Sequence, residues 1–310
     1  MPSPSPGAQS CGDEAAAACG ALLADYSLDM TGKDLGEPES ARAFIPPGTR
    51  VHVGFTDGQD LARRVSTAQA VDRAGFVPVP VIAARRLRSK AMLREYLDRL
   101  QAAGVSARVL VVAGDPAQPQ GPYPDTASVI GSGVLEAHGV LQVSVAGHPG
   151  GHPALDDSVL WPALAGKAAA LEQRGLVGSV VTQFGFDPGL VLAWLAGMRA
   201  RGLRLPVRVG VPGPASVRLL LSYASRCGVS VSALVARDYG LSLTGPAATA
   251  APDRFIQALA SGYDARAHGE MKLHLNPFGG FTATAEWASQ FRGRHQRAVA
   301  AVPTPPGNRP

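Results

Sequence analysis

The sequence is poor in the features that mark secreted and membrane-spanning proteins. Its three cysteines, Cys11, Cys19 and Cys227, form no evenly spaced framework, which favours a reducing compartment and a cytoplasmic protein. It has no run of about 20 apolar residues that could cross a membrane. Residues 15–24 are apolar, but Asp13 and Glu14 precede them where a signal peptide carries basic residues. We therefore expect a first helix there and no membrane partner.

The sequence also lacks the patterns of several functional classes. Its net charge of +5 comes from dispersed arginines, and with only 6% aromatic residues it has no basic block interleaved with aromatics, so we expect no nucleic-acid partner. No Gly-x-Gly-x-x-Gly follows the first predicted strand, which argues against an open dinucleotide-binding sheet. The absence of Gly-x-Ser-x-Gly argues against a serine hydrolase.

What the sequence does contain is a repeated alternation of apolar strands and helices. The eight predicted strands are Asp25–Met30, Val51–Phe55, Phe76–Ile82, Arg108–Val112, Val140–Ala146, Ser179–Phe184, Val207–Val211 and Met271–Leu275. Alternating βα units imply a parallel sheet, and eight of them predict an α/β fold with a single (β/α)8 TIM barrel. We predict an N-terminal tail and helix over residues 1–24, the catalytic barrel over 25–297 and a flexible tail over 298–310.

Polar and glycine-rich residues cluster where these strands end. In such a barrel the C-terminal strand ends build the site, so we expect these residues to share one rim. They are Asp29, Asp115, His148, His152, Gln183 and Asn276, with glycines at 213, 279 and 280. Carboxylates, an amide and glycine-rich loops suit a polar heterocycle with an anionic tail.

The two histidines have the spacing of half a zinc site. That arrangement requires a helix to bring both imidazoles to one face, and Pro149 and Pro153 make a helix between His148 and His152 unfavourable. The sequence therefore predicts no metal ion in this loop.

Four segments at these ends resemble one enzyme family. They are Gly114-Asp115-Pro116, Ser144-Val-Ala-Gly-His-Pro-Gly-Gly-His-Pro153, Val181-Thr-Gln-Phe-Gly-Phe-Asp187 and Val211-Pro-Gly-Pro214. In this order and at these separations they resemble the methylenetetrahydrofolate reductase family, over about Asp25 to Trp287. The family's fold is the (β/α)8 barrel, and the chain is similar to its bacterial members, which consist of the catalytic barrel.

The resemblance implies reduction of 5,10-methylenetetrahydrofolate to 5-methyltetrahydrofolate with electrons from NADH or NADPH. Asp29 stands where the family has a glutamate that assists protonation and opening of the imidazolidine ring. Asp115 matches an aspartate that stabilises the iminium cation, and Gln183 matches a glutamine that hydrogen-bonds the pterin. Phe184 and Asn276 complete the substrate-binding set that we predict.

The predicted cofactor-binding set consists of His148, His152, Gly114, Gly213 and Gly279. His152 matches the histidine of the family's His-Pro pair. The partners implied are a tetrahydrofolate derivative and a nicotinamide dinucleotide, and the sequence leaves the oligomeric state open, a homo-oligomer included.

Several positions depart from the family's usual FAD site. Ala113 replaces an arginine before Gly-Asp, His148 replaces a tyrosine beside the flavin, and Val81 replaces a histidine. Ala168–Glu172 contains no lysine to meet the flavin phosphates. Charge-assisted hydrogen bonds contribute roughly 1.5–3 kcal/mol each. We therefore predict that FAD is not tightly bound and that NADH or NADPH transfers hydride directly to the folate, as in flavin-independent reductases.

Two alternatives remain open from the sequence. The same site could oxidise 5-methyltetrahydrofolate in a demethylation pathway, since one transition state serves both directions. Because Asp29 replaces a glutamate and shortens the reach of the carboxylate, the chain could also be a non-catalytic folate-binding or partner-binding barrel.

Overall fold

The computed structural model describes residues 17–31, 35–54, 60–229, 231 and 249–300, with the side chains of 296–300 outside the description. Residues 1–16 of the predicted N-terminal tail and helix and residues 301–310 of the predicted C-terminal tail lie outside the described residues, as does Phe55, whereas residues 298–300 of the predicted C-terminal tail are helical. Of the first helix predicted over residues 15–24, residues 17–24 are described, and residues 17–22 are helical.

The described residues contain ten strands. They are β1 (Ser27–Met30), β2 (Arg50–Val53), β3 (Val77–Ala83), β4 (Arg108–Val112), β5 (Gln142–Gly147), β6 (Val177–Phe184), β7 (Val207–Pro212), β8 (Ala215–Ser216), β9 (Thr249–Ala250) and β10 (Met271–Asn276). Eight of them close into a barrel in the order β1, β10, β7, β6, β5, β4, β3, β2, and every pairing is parallel. The predicted (β/α)8 TIM barrel is confirmed. The two-residue strands β8 and β9 pair antiparallel outside it.

Helices follow the barrel strands. They are α1 (Glu37–Ser40), α2 (Leu61–Arg73), α3 (Lys90–Ala102), α4 (Thr126–Gly131), α5 (Val134–Ala137), α6 (Asp157–Gln173), α7 (Pro188–Ala200), α8 (Val217–Arg226), α9 (Asp253–Gly262), α10 (Ala265–His268) and α11 (Phe281–Ala300). None of the helices in the described part of the chain is long and apolar enough to cross a membrane.

The sequence pattern predicts helices over Arg86–Ala103, Thr126–His138 and Pro212–Arg226, and all three differ from the observed helices for local reasons. The predicted helix from Arg86 starts at Lys90, because Ser89 caps α3 by accepting from Met92 N. The segment predicted as one helix over Thr126–His138 is two, broken by Gly133 at φ +74°. After β7, the loop leads first into β8, and α8 begins at Val217.

The strands alternate between two environments. Leu28 and Met30 are buried in the main core between barrel and helices, whereas Ser27 and Asp29 lie on the other face, toward the barrel axis. A smaller apolar cluster fills part of the interior, formed by Val79, Val81, Leu110 and Val181 with Val112 against it.

The N-terminal end of the barrel interior is occupied by charged side chains. Arg208 donates to the backbone oxygen and to Oδ2 of Asp25, both at 2.9 Å, and Arg50 donates to the same carboxylate at 3.1 Å. Arg108 donates to Gln142 at 3.0 Å. This end is held together by its own ion pairs, and the polar residues predicted from the sequence lie at the opposite end.

Candidate functional site

Asp29 lies near the C-terminal end of β1, and its side chain is 38% exposed. Its Oδ1 is 3.2 Å from Nε2 of His274, a residue of β10 that is only 2% exposed. Nδ1 of the same imidazole lies 2.9 Å from Oγ of Ser27. A hydroxyl can donate or accept, so both tautomers of a neutral His274 are compatible with the Ser27 contact. The barrel thus orients Asp29 from within.

His52 adds a second imidazole to this group. It lies on β2, opposite Asp29 in the β1–β2 register, and is 1% exposed. Its ring centroid is 4.5 Å from that of His274. Burial, with the nearby charges of His274, Arg208 and Arg50, lowers the pKa of His52 well below its ordinary value, so it is neutral at pH 7.

Asp115 follows β4 and pairs with an arginine from the neighbouring loop. Arg86, in the 3-10 turn after β3, donates Nε to Oδ1 at 2.8 Å and Nη2 to Oδ2 at 2.6 Å. These hydrogen bonds lower the pKa of Asp115, although partial burial opposes them, and keep it ionised at neutral pH. The carboxylate remains 74% exposed.

His148 and His152 lie in the loop after β5, with ring centroids 5.3 Å apart and rings nearly perpendicular. Burial, assisted by the charges of Lys167 and His152, lowers the pKa of His148 to about 4. Nδ1 of His152 accepts from the backbone N–H of Ala154 at 3.2 Å. His148 is therefore a neutral imidazole at pH 7, and His152 stabilises the loop.

A largely apolar cavity of about 330 Å³ opens beside His148, between β5 and helices α4 and α6. Its wall includes Trp161 and Trp194, which stack with centroids 5.6 Å apart and an interplanar angle of 20°. Its charged residues are Arg85, Lys167, Asp125 and Asp157, two of each sign. The cavity suits a flat heteroaromatic ring with polar substituents.

Lys167 lies on α6, one residue before the Ala168–Glu172 window in which the sequence contains no lysine. Its Nζ donates to the backbone oxygen of Ala146 at the end of β5, at 2.6 Å. Burial lowers its pKa to about 8, with the nearby Asp125 carboxylate opposing the shift. A cation therefore does lie beside the cavity, although it is bound to the backbone.

The predicted substrate-binding residues have three different environments. Gln183 lies by the glycines of the β5 loop, and its Oε1 accepts from Phe184 N at 3.1 Å. Phe184 is 3% exposed and packs against Phe186 and Phe278. Asn276 ends β10 and is 8% exposed, and its Nδ2 has no hydrogen-bond partner among the described residues.

The three predicted cofactor-binding glycines lie at the ends of β4, β7 and β10. Gly114 has φ +89° beside Asp115. A Cβ on Gly213 would lie 2.5 Å from Thr284 Oγ1, and one on Gly279 would overlap the Pro214 oxygen. The close approach of the β7 and β10 loops to neighbouring atoms accounts for glycine at both of these positions.

Comparison with known proteins supports the fold. No known family model matches the chain. A solved structure of a Clostridium thermocellum protein, described as binding two copies of 5-methyl-5,6,7,8-tetrahydrofolic acid, is similar over 88% of this chain and 94% of its own, with a TM-score of 0.58 and 9% identity. At this level of identity the similarity shows only that the two proteins share a fold.

Two weaker similarities are to a dihydropteroate synthase from Thermus thermophilus and to a mutant tryptophan synthase alpha-subunit from Pyrococcus furiosus. The first has a TM-score of 0.45 at 16% identity, covering 88% of this chain and 95% of that one. The second has a TM-score of 0.44 at 12% identity, covering 89% and 97%. At these scores the similarity is too distant to inform function.

The structure thus divides the predicted residues into groups. Asp29 forms one group with His274, and His148, with His152 beside it, borders the cavity. Asp115 lies at the end of β4, with β2 and β3 between its strand and β1 in the barrel. Gln183 faces the β5 loop.

Four residues that contact the predicted site residues or line the cavity were not predicted from the sequence: His52, His274, Arg86 and Lys167. The two histidines carried a usable signal, because each alternates with apolar residues at an axis-facing position of its strand: Val51 and Val53 flank His52, and Leu273 and Leu275 flank His274.

Proposed function

We propose that this barrel binds a reduced folate at its C-terminal mouth and reduces 5,10-methylenetetrahydrofolate to 5-methyltetrahydrofolate with NADH or NADPH. The observation that carries the proposal is the part-exposed Asp29 carboxylate, whose Oδ1 lies 3.2 Å from Nε2 of the buried His274. It lies where the family resemblance expects the acid that opens the imidazolidine ring. The fold-level similarity to a protein described as binding 5-methyl-5,6,7,8-tetrahydrofolic acid supports the folate part of the proposal.

Asp29 would carry the proton that goes to the ring nitrogen of the folate as the imidazolidine C–N bond breaks. Its exposed oxygen can reach a ligand in the mouth, while the contact with His274 fixes the plane of the carboxyl group. A positioned acid of this kind contributes about 100- to 10,000-fold to rate.

Asp115 has the complementary role. Because Arg86 keeps it ionised, it supplies negative charge rather than a proton. A fixed carboxylate near the pterin would stabilise the positive charge that develops on the folate once the ring is open. The two carboxylates therefore have different neighbours, because Asp29 contacts His274 and Asp115 contacts Arg86.

In this proposal one ring of the nicotinamide dinucleotide binds in the cavity beside His148. Trp161 and Trp194 offer aromatic surface to one of its flat rings, and a neutral His148 borders the same space toward the mouth. The dinucleotide, when bound, supplies the hydride. Lys167 and Arg85 are the cations within reach of its phosphates.

The proposal is tested by anaerobic incubation of the purified full chain with 5,10-methylenetetrahydrofolate and NADH or NADPH, with and without added FAD. We expect stoichiometric formation of 5-methyltetrahydrofolate and oxidised dinucleotide without FAD. Asp29→Asn should lower kcat at least about 100-fold while folate binding persists. Asp72→Asn, at an exposed carboxylate on α2, is the matched control.

The same assay separates the alternatives. Folate binding without turnover in either direction would identify a binding protein, and oxidation of 5-methyltetrahydrofolate alone would identify the reverse reaction. Unaltered activity in Asp29→Asn would remove this residue from the mechanism.

A further inference from the structure

Three side chains with metal-binding atoms converge inside the barrel. Asp29, His52 and His274 come from β1 and from its two neighbours, β2 and β10. One ligand atom from each lies within 4.8 Å of the other two. Barrel closure makes the cluster, because β1 and β10 are at opposite ends of the chain and pair with each other.

The distance between Oδ1 of Asp29 and Nε2 of His274 is close to the distance between two atoms that bind the same metal ion. The Asp29 and His274 atoms are 3.2 Å apart. Tetrahedral zinc binds imidazole nitrogen and carboxylate oxygen at about 2.0–2.2 Å, which places two such ligands a little over 3 Å apart. Nδ1 of His274 is already in contact with Ser27 Oγ. With the proton on Nδ1 and the hydroxyl accepting it, Nε2 is free to bind a metal, an arrangement typical of metal-binding histidines.

His52 supplies the independent observation. Among the described residues, its Nδ1 is buried without a hydrogen-bond partner. Leaving a buried polar atom unsatisfied costs about 1–3 kcal/mol, so native structures rarely keep one without a bound water, ion or ligand. The ring is 1% exposed, so bulk solvent does not satisfy this nitrogen.

We propose that Asp29, His52 and His274 form a binding site for one divalent first-row transition-metal ion of the Zn²⁺ and Co²⁺ class. Two imidazoles and one carboxylate favour these ions over Mg²⁺ and Ca²⁺, which prefer oxygen ligands. Because the Asp29 side chain is part-exposed, the remaining coordination position faces the barrel mouth. Metal binding itself is independent of the proposed function.

One consequence does rest on the proposed function. An ion bound to Asp29 occupies the oxygen lone pair that would otherwise carry the proton. Zn²⁺ should therefore inhibit methylenetetrahydrofolate reduction, and a chelator should restore it.

The test is a Co²⁺ titration of the full chain after treatment with a chelator and dialysis, at neutral pH. We expect visible d–d bands of a four- or five-coordinate ion, saturating at one equivalent and displaced by Zn²⁺. His52→Gln should weaken Co²⁺ binding at least about 10-fold. The double variant His148→Gln/His152→Gln, which removes the other pair of neighbouring histidines, should bind Co²⁺ as the original chain does.

A measurement without substitutions covers the case in which His52→Gln does not fold, as judged by circular dichroism. Histidine-ring NMR of the original chain should show two imidazoles shifted by one equivalent of Zn²⁺. Absence of d–d bands, full binding in folded His52→Gln, or loss of binding in the His148/His152 variant would overturn the proposal. Failure of the reductase assay alone would leave Co²⁺ binding intact, so the two proposals fail separately.

Discussion

Nε2 of His274 lies 3.2 Å from Oδ1 of Asp29, and the same ring contacts Ser27 through Nδ1 at 2.9 Å. The contact joins the first strand of the barrel to the last one. It links a buried imidazole to a part-exposed carboxylate. The position of Asp29 therefore depends on barrel closure as well as on β1 itself.

Substitution of His274 tests this dependence. Glutamine can place its amide N–H near the position of Nε2, whereas asparagine mimics only Nδ1 and loses the contact with Asp29. We expect His274→Asn to lower kcat for folate reduction about 10- to 100-fold with KM for folate nearly unchanged, and His274→Gln to retain most of the rate.

Steady-state kinetics of both variants, with circular dichroism to verify folding, measure this difference. Equal losses in the two variants would indicate that the imidazole acts through packing alone.

His148 should make stability depend on pH in a defined direction. Its pKa is about 4 in the folded chain and 6.5 in the reference state, so between these values the unfolded chain binds more protons. The free energy of unfolding therefore falls as the pH falls through this window. Between about pH 7.5 and pH 5.5 the loss from this residue should be about 1 kcal/mol.

Urea unfolding of the original chain and of His148→Gln at both pH values isolates the effect. His52, whose pKa is also lowered, is present in both proteins and cancels in the difference. A difference between the two proteins that does not change with pH would contradict the buried, neutral state of His148.

The barrel could be predicted from the sequence because its signals are local. Apolar strands of period two and helices ending in glycine recur throughout the chain, and each needs only a few residues to be recognised. The rule that strand ends build the site then located Asp29 and Asp115 without knowledge of their contacts.

The neighbours of these carboxylates could not be predicted in the same way. His274 reaches Asp29 only because the barrel closes, and Arg86 reaches Asp115 from a turn that the sequence suggested was helical. Such contacts depend on the relative positions of distant segments. They decide the protonation and orientation of the site, which is why the sequence located residues better than it described their chemistry.

Lys167 should titrate near neutrality. Burial lowers its pKa to about 8, and the chain's other lysines are Lys33, Lys90 and Lys272, so reductive methylation with ¹³C-formaldehyde should give resolvable NMR signals. The α-amino group is labelled too and has a similar ordinary pKa, so the Lys167 signal is the one with a pKa of about 8 that is absent in Lys167→Arg. Since the unfolded chain binds more protons between about pH 8 and pH 10.5, this residue makes stability rise with pH there.

The same signal reports on the cavity. Phosphates of a bound dinucleotide close to Nζ would favour the charged form and raise the pKa of Lys167. A titration unchanged by saturating NADH would place the phosphates elsewhere.

Trp161 tests the cavity's aromatic wall. It stacks on Trp194 within the cavity lining, whereas Trp287 donates to Asp253 elsewhere in the fold, at 3.0 Å. Aromatic stacking contributes about 0.5–1.5 kcal/mol beyond the area that it buries, so Trp161→Leu should weaken NADH binding about 3- to 10-fold. Trp287→Phe should leave it unchanged.

Isothermal titration calorimetry gives the affinities for NADH. Energy transfer from tryptophan to bound NADH provides a second signal. Trp161→Leu should reduce this energy transfer more than Trp287→Phe does. Because Trp161 also lies under the guanidinium of Arg201, at 4.2 Å, thermal unfolding must show that the variant remains folded at the assay temperature. If folded Trp161→Leu bound NADH as tightly as the original chain, the dinucleotide ring would have to bind outside this cavity.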